Sequence, residues 1–442
     1  MKNHFGTDGI RGIVNDGLDH NLAFKVGNAL TCIKSGAKVL IGKDTRLSGD
    51  MLYLSLAAGI TAGGGDVHNL CVMPTAGVAY LTKKAGADFG IVVSASHNPK
   101  EYNGIKIFGS DGYKLPDATE MEIESKFGIE NFVENARLGR IFNFEEKHDY
   151  EKALVGSVST PLSGLKVVLD LANGAAYDIA PRVFRAAGAE VVTIYGDGRS
   201  GNINENCGAT CTDAILSAAK EHSADVGLSF DGDSDRLIAC DSKGNLFNGD
   251  AIIYMFARYY KKKGLLTNNT VVGTLHTNMG AEDAIKRLGI NFERSDIGDK
   301  YVIELMRKTG SVLGGEQSGH IILGDKSTTG DGILAGLMLC QVMIESGVPL
   351  SGLCDFVQYP QININVIVND KRAIMTSPLL EKYITETNYE IGKNGRVMVR
   401  ASGTEPKIRV TTECLDEEKA KAAAERLAAK INEIANIAIG GR

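Results

Sequence analysis

The sequence lacks the features of a membrane, secreted or nucleic-acid-binding protein. Its longest uncharged apolar stretches, 51–65 and 332–344, are shorter than the roughly 20 residues that a membrane-spanning helix needs. The formal net charge of −6 argues against a general nucleic-acid or membrane footprint. Because residues 1–12 contain no apolar signal region, we expect a cytoplasmic protein with neither nucleic acid nor a membrane as its partner.

Proline is scarce and the cysteines are scattered. Only 9 of 442 residues are proline whereas 52 are glycine, so the glycines are expected in tight loops and at helix ends rather than in a low-complexity segment. The eight cysteines do not have the spacing of zinc ligands, since only Cys207 and Cys211 lie close together. A chain of this length needs no disulfide framework, and we interpret the cysteines as reduced thiols.

Three segments share one pattern: an apolar strand, a polar loop, a helix, a glycine stop and a second strand. They begin at 38–46, 165–176 and 270–280. The pattern is typical of a βαβ unit, whose parallel strands need a crossover connection. Three copies predict an α/β fold with three related mixed α/β domains built on a common plan.

The C-terminal part has a different pattern. Three short strand candidates, 360–368, 395–402 and 408–414, precede a charged amphipathic helix at roughly 416–436. These elements predict a smaller α+β domain. The predicted domains are 1–155, 156–250, 251–366 and 367–442.

A polar loop follows the apolar run that ends at Ser94. Ser96 has His97 beside it and Lys106 ten residues further on, so a hydroxyl nucleophile with basic neighbours is available. Ligands in open α/β sheets collect beyond the carboxyl ends of strands, which is where this loop falls. An ordinary strand-ending turn at Asn98 and Pro99 would explain the same residues.

A second loop, DGDSDR, follows the strand candidate 224–230 and carries three alternating carboxylates, Asp231, Asp233 and Asp235. Two carboxylates at ~4 Å repel by roughly 4 kcal/mol at an effective dielectric of 20, so a cation is their natural partner, and hard oxygen ligands favour Mg²⁺ or Ca²⁺. The sixth position is Arg236 rather than glycine, which excludes an EF-hand. The alternative is a solvated acidic turn.

In a third loop, GGEQSGH (314–320), Glu316, Ser318 and His320 alternate with other residues. Their side chains can project together and suit the hydroxyls or the amine of a sugar. A glycine-rich surface turn would explain the same letters.

A fourth loop lies near the C-terminus. Ser402, Gly403 and Thr404 offer hydroxyls and a flexible backbone whose N–H groups can form an anion nest. Arg400 and Arg409 add cationic donors that can bind phosphate oxygens. A hairpin turn with solvated charges is the alternative.

One such loop falls in each predicted domain, so we expect all four domains to surround a central cleft. In this order and at these intervals the motifs resemble those of the α-D-phosphohexomutase family, most closely its bacterial glucosamine branch. The resemblance covers essentially the whole chain and is carried by FGTDGIRG (5–12), VSASHNP (93–99), DGDSDR (231–236), GEQSGH (315–320) and RASGTEP (400–406).

The resemblance implies an isomerase that interconverts glucosamine 6-phosphate and glucosamine 1-phosphate. Ser96 would be a phosphoserine, and its phosphate together with Asp231, Asp233 and Asp235 would bind one Mg²⁺ ion. The phosphoserine would donate its phosphoryl group to a sugar hydroxyl, giving a sugar bisphosphate that also serves as activator. That intermediate would reorient and return its other phosphate to Ser96. The partner is thus a small sugar phosphate, and a homodimer is a possible assembly.

The resemblance also assigns roles to the remaining candidate residues. The active-site cations and proton-handling groups would be Arg11, His97, Lys106, Arg236 and His320. The groups that hold sugar hydroxyls would be Glu316 and Ser318. The residues that grip the phosphate that is not reacting would be Arg400, Ser402, Gly403, Thr404 and Arg409.

Two positions depart from the family pattern. Ser234 replaces a more usual glycine in DGDSDR, while the aspartates that would bind metal remain. In the segment 296–302, Lys300 stands where arginine is common, and lysine lacks the planar fork of arginine. The sugar contacts of that segment are therefore not carried over.

Other functions fit the sequence less well. A phosphomannomutase or phosphoglucomutase of the same family is the nearest alternative, and Gln317 with the opening motif favours the glucosamine branch. A metal-dependent phosphatase with an aspartyl nucleophile would leave Ser96 and the C-terminal loop without a purpose. Non-catalytic sugar-phosphate binding would need a broken nucleophile or metal loop. The motif GxxxxGK[ST] of P-loop kinases does not occur.

Overall fold

The computed structural model describes residues 4–129, 131–199, 201–402 and 406–440, apart from the side chains of 136 and 436–440. The chain divides into two compact units. The first consists of Met1–His276 with Leu288–Asp355, and the second of Thr277–Arg287 with Phe356–Arg442.

The N-terminal region of the first unit forms a mixed sheet. Its elements are β1 (Phe5–Gly6), β2 (Gly9–Val14), β3 (Gly17–Leu18), α1 (His20–Ile33), β4 (Lys38–Lys43), α2 (Gly49–Ala62), β5 (Asp66–Val72), α3 (Thr75–Lys84), β6 (Phe89–Val93), β7 (Tyr102–Gly109), α4 (Asp117–Ser125), β8 (Ile141–Asn143) and α5 (His148–Gly156). The strand order is β1-β2-β7-β6-β4-β5-β8, and β3 pairs with β2. Because β6, β4, β5 and β8 run parallel, their carboxyl ends share one edge of the sheet.

Helices α1 and α2 pack against each other unusually closely. A Cβ atom on Gly59 would lie 2.2 Å from the carbonyl oxygen of Phe24, and one on Gly27 would lie 2.3 Å from that of Leu56. Only glycine leaves room for these two backbones to approach so far. Helix α1 begins where the Asp19 side chain accepts the Leu22 N–H.

A second mixed sheet follows. Its elements are β9 (Lys166–Asp170), α6 (Ala176–Ala186), β10 (Glu190–Ile194), α7 (Asp213–Glu221), β11 (Val226–Phe230), β12 (Leu237–Cys240) and β13 (Leu246–Phe247). The strand order is β10-β9-β11-β12-β13, in which β10, β9 and β11 are parallel. Every residue of β11 is buried, as expected for a near-continuous apolar strand in the middle of a covered sheet.

The third region has the order β15-β14-β16-β17, with β17 antiparallel at one edge. Its elements are α8 (Gly249–Lys263), β14 (Thr270–Thr274), β15 (Asn291–Ser295), α10 (Asp299–Thr309), β16 (Leu313–Gly315), β17 (Ile321–Leu323), α11 (Gly332–Ser346) and α12 (Leu350–Leu353), while α9 (Met279–Arg287) belongs to the second unit. Helix α11 is apolar on almost every side. Its N-cap is Asp331, whose side chain accepts the Leu334 N–H, and its C-cap is Gly347 with φ +62°.

The second unit contains an antiparallel sheet covered by helices. Its further elements are β18 (Gln361–Ile367), α13 (Lys371–Met375), α14 (Pro378–Ile391), β19 (Gly395–Ala401), β20 (Lys407–Cys414) and α15 (Glu417–Gly440), and its strand order is β18-β20-β19. Ile408 and Val410 of the central strand pack with Leu427 and Ile431 of α15 in one buried apolar cluster. Short 3₁₀ turns elsewhere occupy Asn135–Arg137, Glu145–Lys147 and Thr267–Asn269.

The predicted fold class is confirmed in its elements. Each predicted βαβ segment supplies a parallel strand pair, β4 with β5, β9 with β10 and β14 with β15, and the C-terminal strands and long helix form an α+β unit. The exact domain boundaries and the cleft shared by four domains remain predictions. All eight cysteines lie in the described ranges and are free thiols. Within these ranges, none of the helices combines the length and the apolar character that crossing a membrane requires.

Candidate active site

The loop after β6 holds Ser96 in a strained backbone conformation. Ser96 is buried and has φ +52°, in the left-handed region that a residue with a side chain rarely adopts. Its N–H donates to Ser94 Oγ at 2.9 Å, and that hydroxyl donates to Asp44 Oδ2 at 2.6 Å. Strained residues persist where the surroundings over-determine them, typically at functional sites.

The side chain that organises this loop is Arg46, which the sequence analysis did not identify. It is completely buried, pairs with Asp44 at 2.9 Å and lies just beyond β4, at the same sheet edge as the Ser96 loop. Its guanidinium donates to the carbonyl oxygens of Ser96, Asn98, Pro99 and Tyr102. An Asp-x-Arg triplet directly after an apolar strand is the sequence signal that could have indicated this role.

The loop after β11 brings the three predicted carboxylates together, and all three are buried. One oxygen from each of Asp231, Asp233 and Asp235 lies within 4.8 Å of the others. The Ser96 hydroxyl donates to Asp231 Oδ2 at 2.5 Å, although these residues are 135 positions apart. Gly232 permits this approach, since a Cβ atom there would lie 2.6 Å from the carbonyl oxygen of Ser96.

The donor set of this cluster fits a metal ion. Oδ2 of Asp233 accepts from the Thr75 hydroxyl at 2.6 Å and from Lys106 Nζ at 2.8 Å, while its buried Oδ1 has no hydrogen-bond partner. A buried carboxylate oxygen without a donor is costly unless a cation completes it. Three converging carboxylates supply the hard oxygen ligands that divalent cations prefer.

The carboxylates differ in electrostatic environment. Burial and the charges of Asp235 and Asp233 raise the pKa of Asp231 to about 7. Burial would also raise the pKa of Asp235, but the charges of Lys106 and His320 outweigh it and hold that pKa well below its ordinary value. Lys106 lies on β7 and is 1% exposed. The charges of its carboxylate neighbours outweigh its burial and raise its pKa well above the ordinary value, so it stays cationic.

A network of buried and half-buried charges extends beyond the predicted residues. Its further members, Asp8, Lys114 and Asp299, were not identified from the sequence. Lys114 pairs with both Asp8 and Asp299, and Asp8 lies 3.2 Å from Lys106 Nζ. Asp8 belongs to the opening motif FGTDGIRG, whose arginine, Arg11, pairs with it. The motif could have indicated Asp8, whereas Lys114 and Asp299 carry no local signal.

His97 lies beside the Ser96 hydroxyl, and Arg11 contacts the same loop at Asn98. His97 Nδ1 lies 3.2 Å from Ser96 Oγ, and Arg11 Nη1 donates to Asn98 Oδ1 at 3.1 Å. Burial and the charges of Arg236 and Arg11 lower the pKa of His97 to about 4. At neutral pH this imidazole is therefore uncharged.

His320 contacts the cluster at Asp235. Its Nδ1 is 3.5 Å from Asp235 Oδ1, its Nε2 is 3.6 Å from Asp299 Oδ2, and it accepts the Gly330 N–H at 3.1 Å. Burial would lower its pKa, but Asp235 and Asp299 raise that pKa to about 8. Arg236 Nε lies 3.9 Å from Asp231 and 4.0 Å from Asp235, so the cluster is surrounded by cations.

The third predicted loop lies next to the metal loop. A backbone bridge joins Arg236 to His320, and the Leu237 N–H donates to the Gly319 carbonyl at 2.9 Å. Glu316 is half-buried and accepts the Gly298 N–H at 3.1 Å, and Ser318 is exposed. Burial raises the pKa of Glu316.

The family more often has arginine at the position of Lys300. The Lys300 side chain does not extend into the third predicted loop. It lies in α10, and its ammonium group pairs with Asp117 and Glu120 of α4. In this structure Lys300 therefore ties two regions of the first unit together.

The unusual serine of the metal loop adopts a glycine-like conformation. Ser234 has φ +62° and is buried, and its hydroxyl has no hydrogen-bond partner. The left-handed backbone is unfavourable for a residue with a side chain, and a buried hydroxyl without a hydrogen-bond partner is unfavourable as well.

We therefore expect Ser234→Gly to stabilise the protein without loss of turnover. Ser223→Gly is the matched control, because Ser223 has φ +49° but is exposed. Both variants relieve a left-handed backbone, but only Ser234→Gly also removes a buried, unpaired hydroxyl. Its gain in unfolding free energy should therefore be about 1 kcal/mol larger than that of Ser223→Gly. Denaturant unfolding of both variants tests this, and a smaller gain for Ser234→Gly would contradict it.

The fourth predicted loop belongs to the second unit. Arg400 of β19 and Arg409 of β20 are directly paired in the sheet register, and burial and the Arg409 charge lower the pKa of Arg400. Ser402 is buried, and its carbonyl oxygen accepts from Lys371 Nζ at 2.7 Å. Gly403 and Thr404 lie outside the described residues. Adjacent arginines of this kind favour an anionic ligand.

Four family models match the chain in sequence order. All four describe phosphoglucomutase/phosphomannomutase. The matches are α/β/α domain I at 2–134, α/β/α domain II at 148–244, α/β/α domain III at 248–359 and the C-terminal domain at 364–430.

Curated relatives match over nearly the whole chain. A phosphoglucosamine mutase of Desulforamulus reducens is 44% identical, over 98% of this chain and 100% of the relative. One of Carboxydothermus hydrogenoformans is 46% identical, over 94% and 96%.

Solved structures show the same fold. A phosphoglucomutase/phosphomannomutase family protein of Burkholderia thailandensis has a TM-score of 0.82 and 23% identity, covering 98% of both chains. The N-acetylphosphoglucosamine mutase of Aspergillus fumigatus, solved with GlcNAc-6P and magnesium, has a TM-score of 0.68 and 17% identity, covering 98% of this chain and 96% of that one. At these identities the likeness concerns the fold alone.

Proposed function

We propose a function for this chain from the family to which it belongs, the phosphoglucomutase/phosphomannomutase family. As a member it is an isomerase that moves a phosphoryl group on a sugar phosphate. The reaction that we propose interconverts glucosamine 6-phosphate and glucosamine 1-phosphate by way of a phosphoserine and a sugar bisphosphate. The names of the curated relatives support this substrate.

The observation that carries the proposal is the position of the Ser96 hydroxyl. It lies 2.5 Å from Asp231 Oδ2, at the edge of a buried carboxylate cluster and beside the uncharged imidazole of His97. A hydroxyl held against potential metal ligands is well placed to carry a phosphoryl group.

The proposed cofactor is one Mg²⁺ ion. Asp231, Asp233 and Asp235 would hold it together with a phosphate oxygen on Ser96, and the unpartnered Oδ1 of Asp233 supports this assignment. When bound, the ion would neutralise the negative charge of the phosphoryl group during transfer.

The proposed reaction consists of two transfers that mirror each other. In the first, the bond between phosphorus and Ser96 Oγ breaks and a bond from phosphorus to the sugar oxygen forms. The proton that the sugar hydroxyl loses is balanced by the proton that Ser96 Oγ gains as it becomes a free hydroxyl. In the second, the bond between the other phosphorus and its sugar oxygen breaks and a bond from that phosphorus to Ser96 Oγ forms. Ser96 Oγ loses its proton, the sugar oxygen gains one, and the phosphoserine is restored. Arg11, Lys106 and Arg236 would stabilise the charge of the transferring group, and His97 and His320 would handle protons or stabilise charge.

The proposed substrate contacts come from two loops. Glu316 and Ser318 would hold the sugar hydroxyls or the amine. Arg400 and Arg409, with Ser402, Gly403 and Thr404, would grip the phosphate that is not reacting. Paired arginines suit this role because each can bind phosphate oxygens through two parallel hydrogen bonds.

The substrate is tested by comparing kcat/KM for the 6-phosphates of glucosamine, glucose and mannose at one Mg²⁺ concentration, each with its matching bisphosphate. We expect glucosamine 6-phosphate to be preferred by about tenfold or more, since a charge-assisted hydrogen bond from its amine to Glu316 contributes ~1.5–3 kcal/mol. Equal or greater efficiency with glucose or mannose 6-phosphate would reassign the chain to a hexose branch.

A further inference from the structure

A cavity of about 450 Å³ lies between α3, α5 and the segment 326–334, and none of its lining residues belongs to the proposed active site. We propose that this cavity is a second small-molecule site, for a phosphate ester that carries a flat ring. We further propose that its occupation changes turnover at Ser96. Its volume falls within the range of roughly 300–1,000 Å³ that is typical of ligand pockets.

The charges around the cavity favour an anion. Lys83 and Lys84, in the last turn of α3, and Lys326 line it, and Asp331 is its one acidic lining residue among those described. The Asp331 carboxylate already accepts from the Tyr150 hydroxyl at 2.8 Å and from the Leu334 N–H at 2.9 Å. The positive charge of the lysines therefore dominates the electrostatic potential that a ligand would meet in the cavity.

Two of the lysines have partners outside the cavity lining. Lys84 lies 3.2 Å from Asp149, and Lys326 lies 3.7 Å from Asp325. Both lysines are partly exposed, so these pairs are weak and a phosphate can compete for their charges. Burial raises the pKa of Asp331 to about 6, which reduces the opposing negative charge further below neutral pH.

The walls of the cavity suit a ring. Tyr80 and Tyr150 lie with their ring centroids 6.0 Å apart, and Ala76, Leu154 and Leu334 contribute apolar surface. Offset or edge contacts with aromatic rings contribute ~0.5–1.5 kcal/mol beyond the area that they bury. A phosphate at the lysines with a ring packed against this pair of tyrosines would use both parts of the cavity.

The segment that forms one wall is bonded directly to the candidate active site. The Gly330 N–H donates to His320 Nε2 at 3.1 Å, and the Gly332 N–H donates to the Ser234 carbonyl at 2.9 Å. On the opposite wall, Thr75 immediately precedes Ala76 and donates to Asp233 at 2.6 Å. A ligand that moves either wall therefore also moves groups around the carboxylate cluster.

Binding of AMP, chosen as a probe with one phosphate and a flat ring, tests the proposal on the full chain. Equilibrium dialysis is carried out with saturating sugar bisphosphate present, so that AMP binding at the active site is suppressed. The double variant Lys83→Ala/Lys326→Ala should bind AMP at least about tenfold more weakly. The narrowing variant Ala153→Phe should do the same without removing a charge. Lys262→Ala, an exposed lysine outside the cavity, should bind AMP like the wild type.

Turnover provides the second readout. AMP should change kcat at saturating sugar phosphate in the wild type and in Lys262→Ala, and should have no effect in the two cavity variants. The proposal is overturned if AMP does not bind at millimolar concentration, if sugar bisphosphate displaces it, if the cavity variants bind it normally, or if bound AMP leaves kcat unchanged. The dialysis result does not depend on the proposed reaction, so a failure of the proposed function would be recognised separately.

Discussion

Ser96→Ala is expected to lower turnover by about 10⁴-fold or more, because the covalent route through a phosphoserine is lost. The variant should still fold. The loop around residue 96 is held by backbone contacts, since Arg46 and Asn204 donate to the Ser96 carbonyl oxygen at 2.9 Å and 2.8 Å. Binding of sugar phosphate should also remain, because the proposed substrate contacts lie on other loops.

The measurement is kcat with sugar bisphosphate added, so that a lack of activator cannot explain a loss of activity. Ser94→Ala is the matched control, since Ser94 is a buried hydroxyl of the same loop that faces Asp44 instead of the carboxylate cluster. Its hydroxyl accepts the Ser96 N–H and so positions the loop without touching the transferring group, and we expect kcat to fall by only about tenfold. Wild-type turnover by Ser96→Ala would remove the serine from the mechanism.

Asp233→Asn should reduce both Mg²⁺ affinity and turnover by about 10²–10³-fold. The change keeps the shape of the side chain but removes one of three negative charges, and a unit charge pair near ~4 Å contributes about 4 kcal/mol at an effective dielectric of 20. Oδ1 of Asp233 is the buried oxygen without a hydrogen-bond partner. The lost negative charge should therefore weaken the proposed metal site.

Turnover measured against Mg²⁺ concentration tests this expectation. Excess Mg²⁺ should restore part of the rate, because weaker binding is the main defect. Asp241→Asn is the control: Asp241 is a buried carboxylate of the same region that accepts the Lys243 and Asn245 N–H groups and lies outside the cluster. If Asp233→Asn had the metal dependence and rate of the wild type, the DGDSDR loop would be a structural turn.

The sequence allowed prediction of the residues that follow apolar strands. Ser96 comes just after β6, and the carboxylates come just after β11, so their place at sheet edges followed from the pattern of buried residues alone. The parallel strand pairs were predictable for the same reason. The resemblance of five ordered motifs added roles that no single motif could establish.

Contacts between distant residues could not be predicted in this way. Thr75 donates to Asp233 across 158 positions, and Lys114 pairs with Asp299 across 185. Neither Thr75 nor Lys114 differs locally from an ordinary helix-start threonine or a hairpin lysine, because only the packing of separate regions gives them their partners. The left-handed backbone of Ser96 could not be predicted either, because the contact that holds its carbonyl oxygen comes from Arg46, which lies 50 positions earlier in the sequence.

The central claim is that the phosphoryl group passes through Ser96. Its most direct test is to incubate the purified protein with Mg²⁺ and glucosamine bisphosphate that is radiolabelled in both phosphates, and to locate the label by mass spectrometry of peptides. We predict an acid-stable label on Ser96 that approaches one per chain and is chased into sugar phosphate by unlabelled substrate. A label on Asp231 or another aspartate that hydroxylamine removes, or turnover without any label on the protein, would contradict the account.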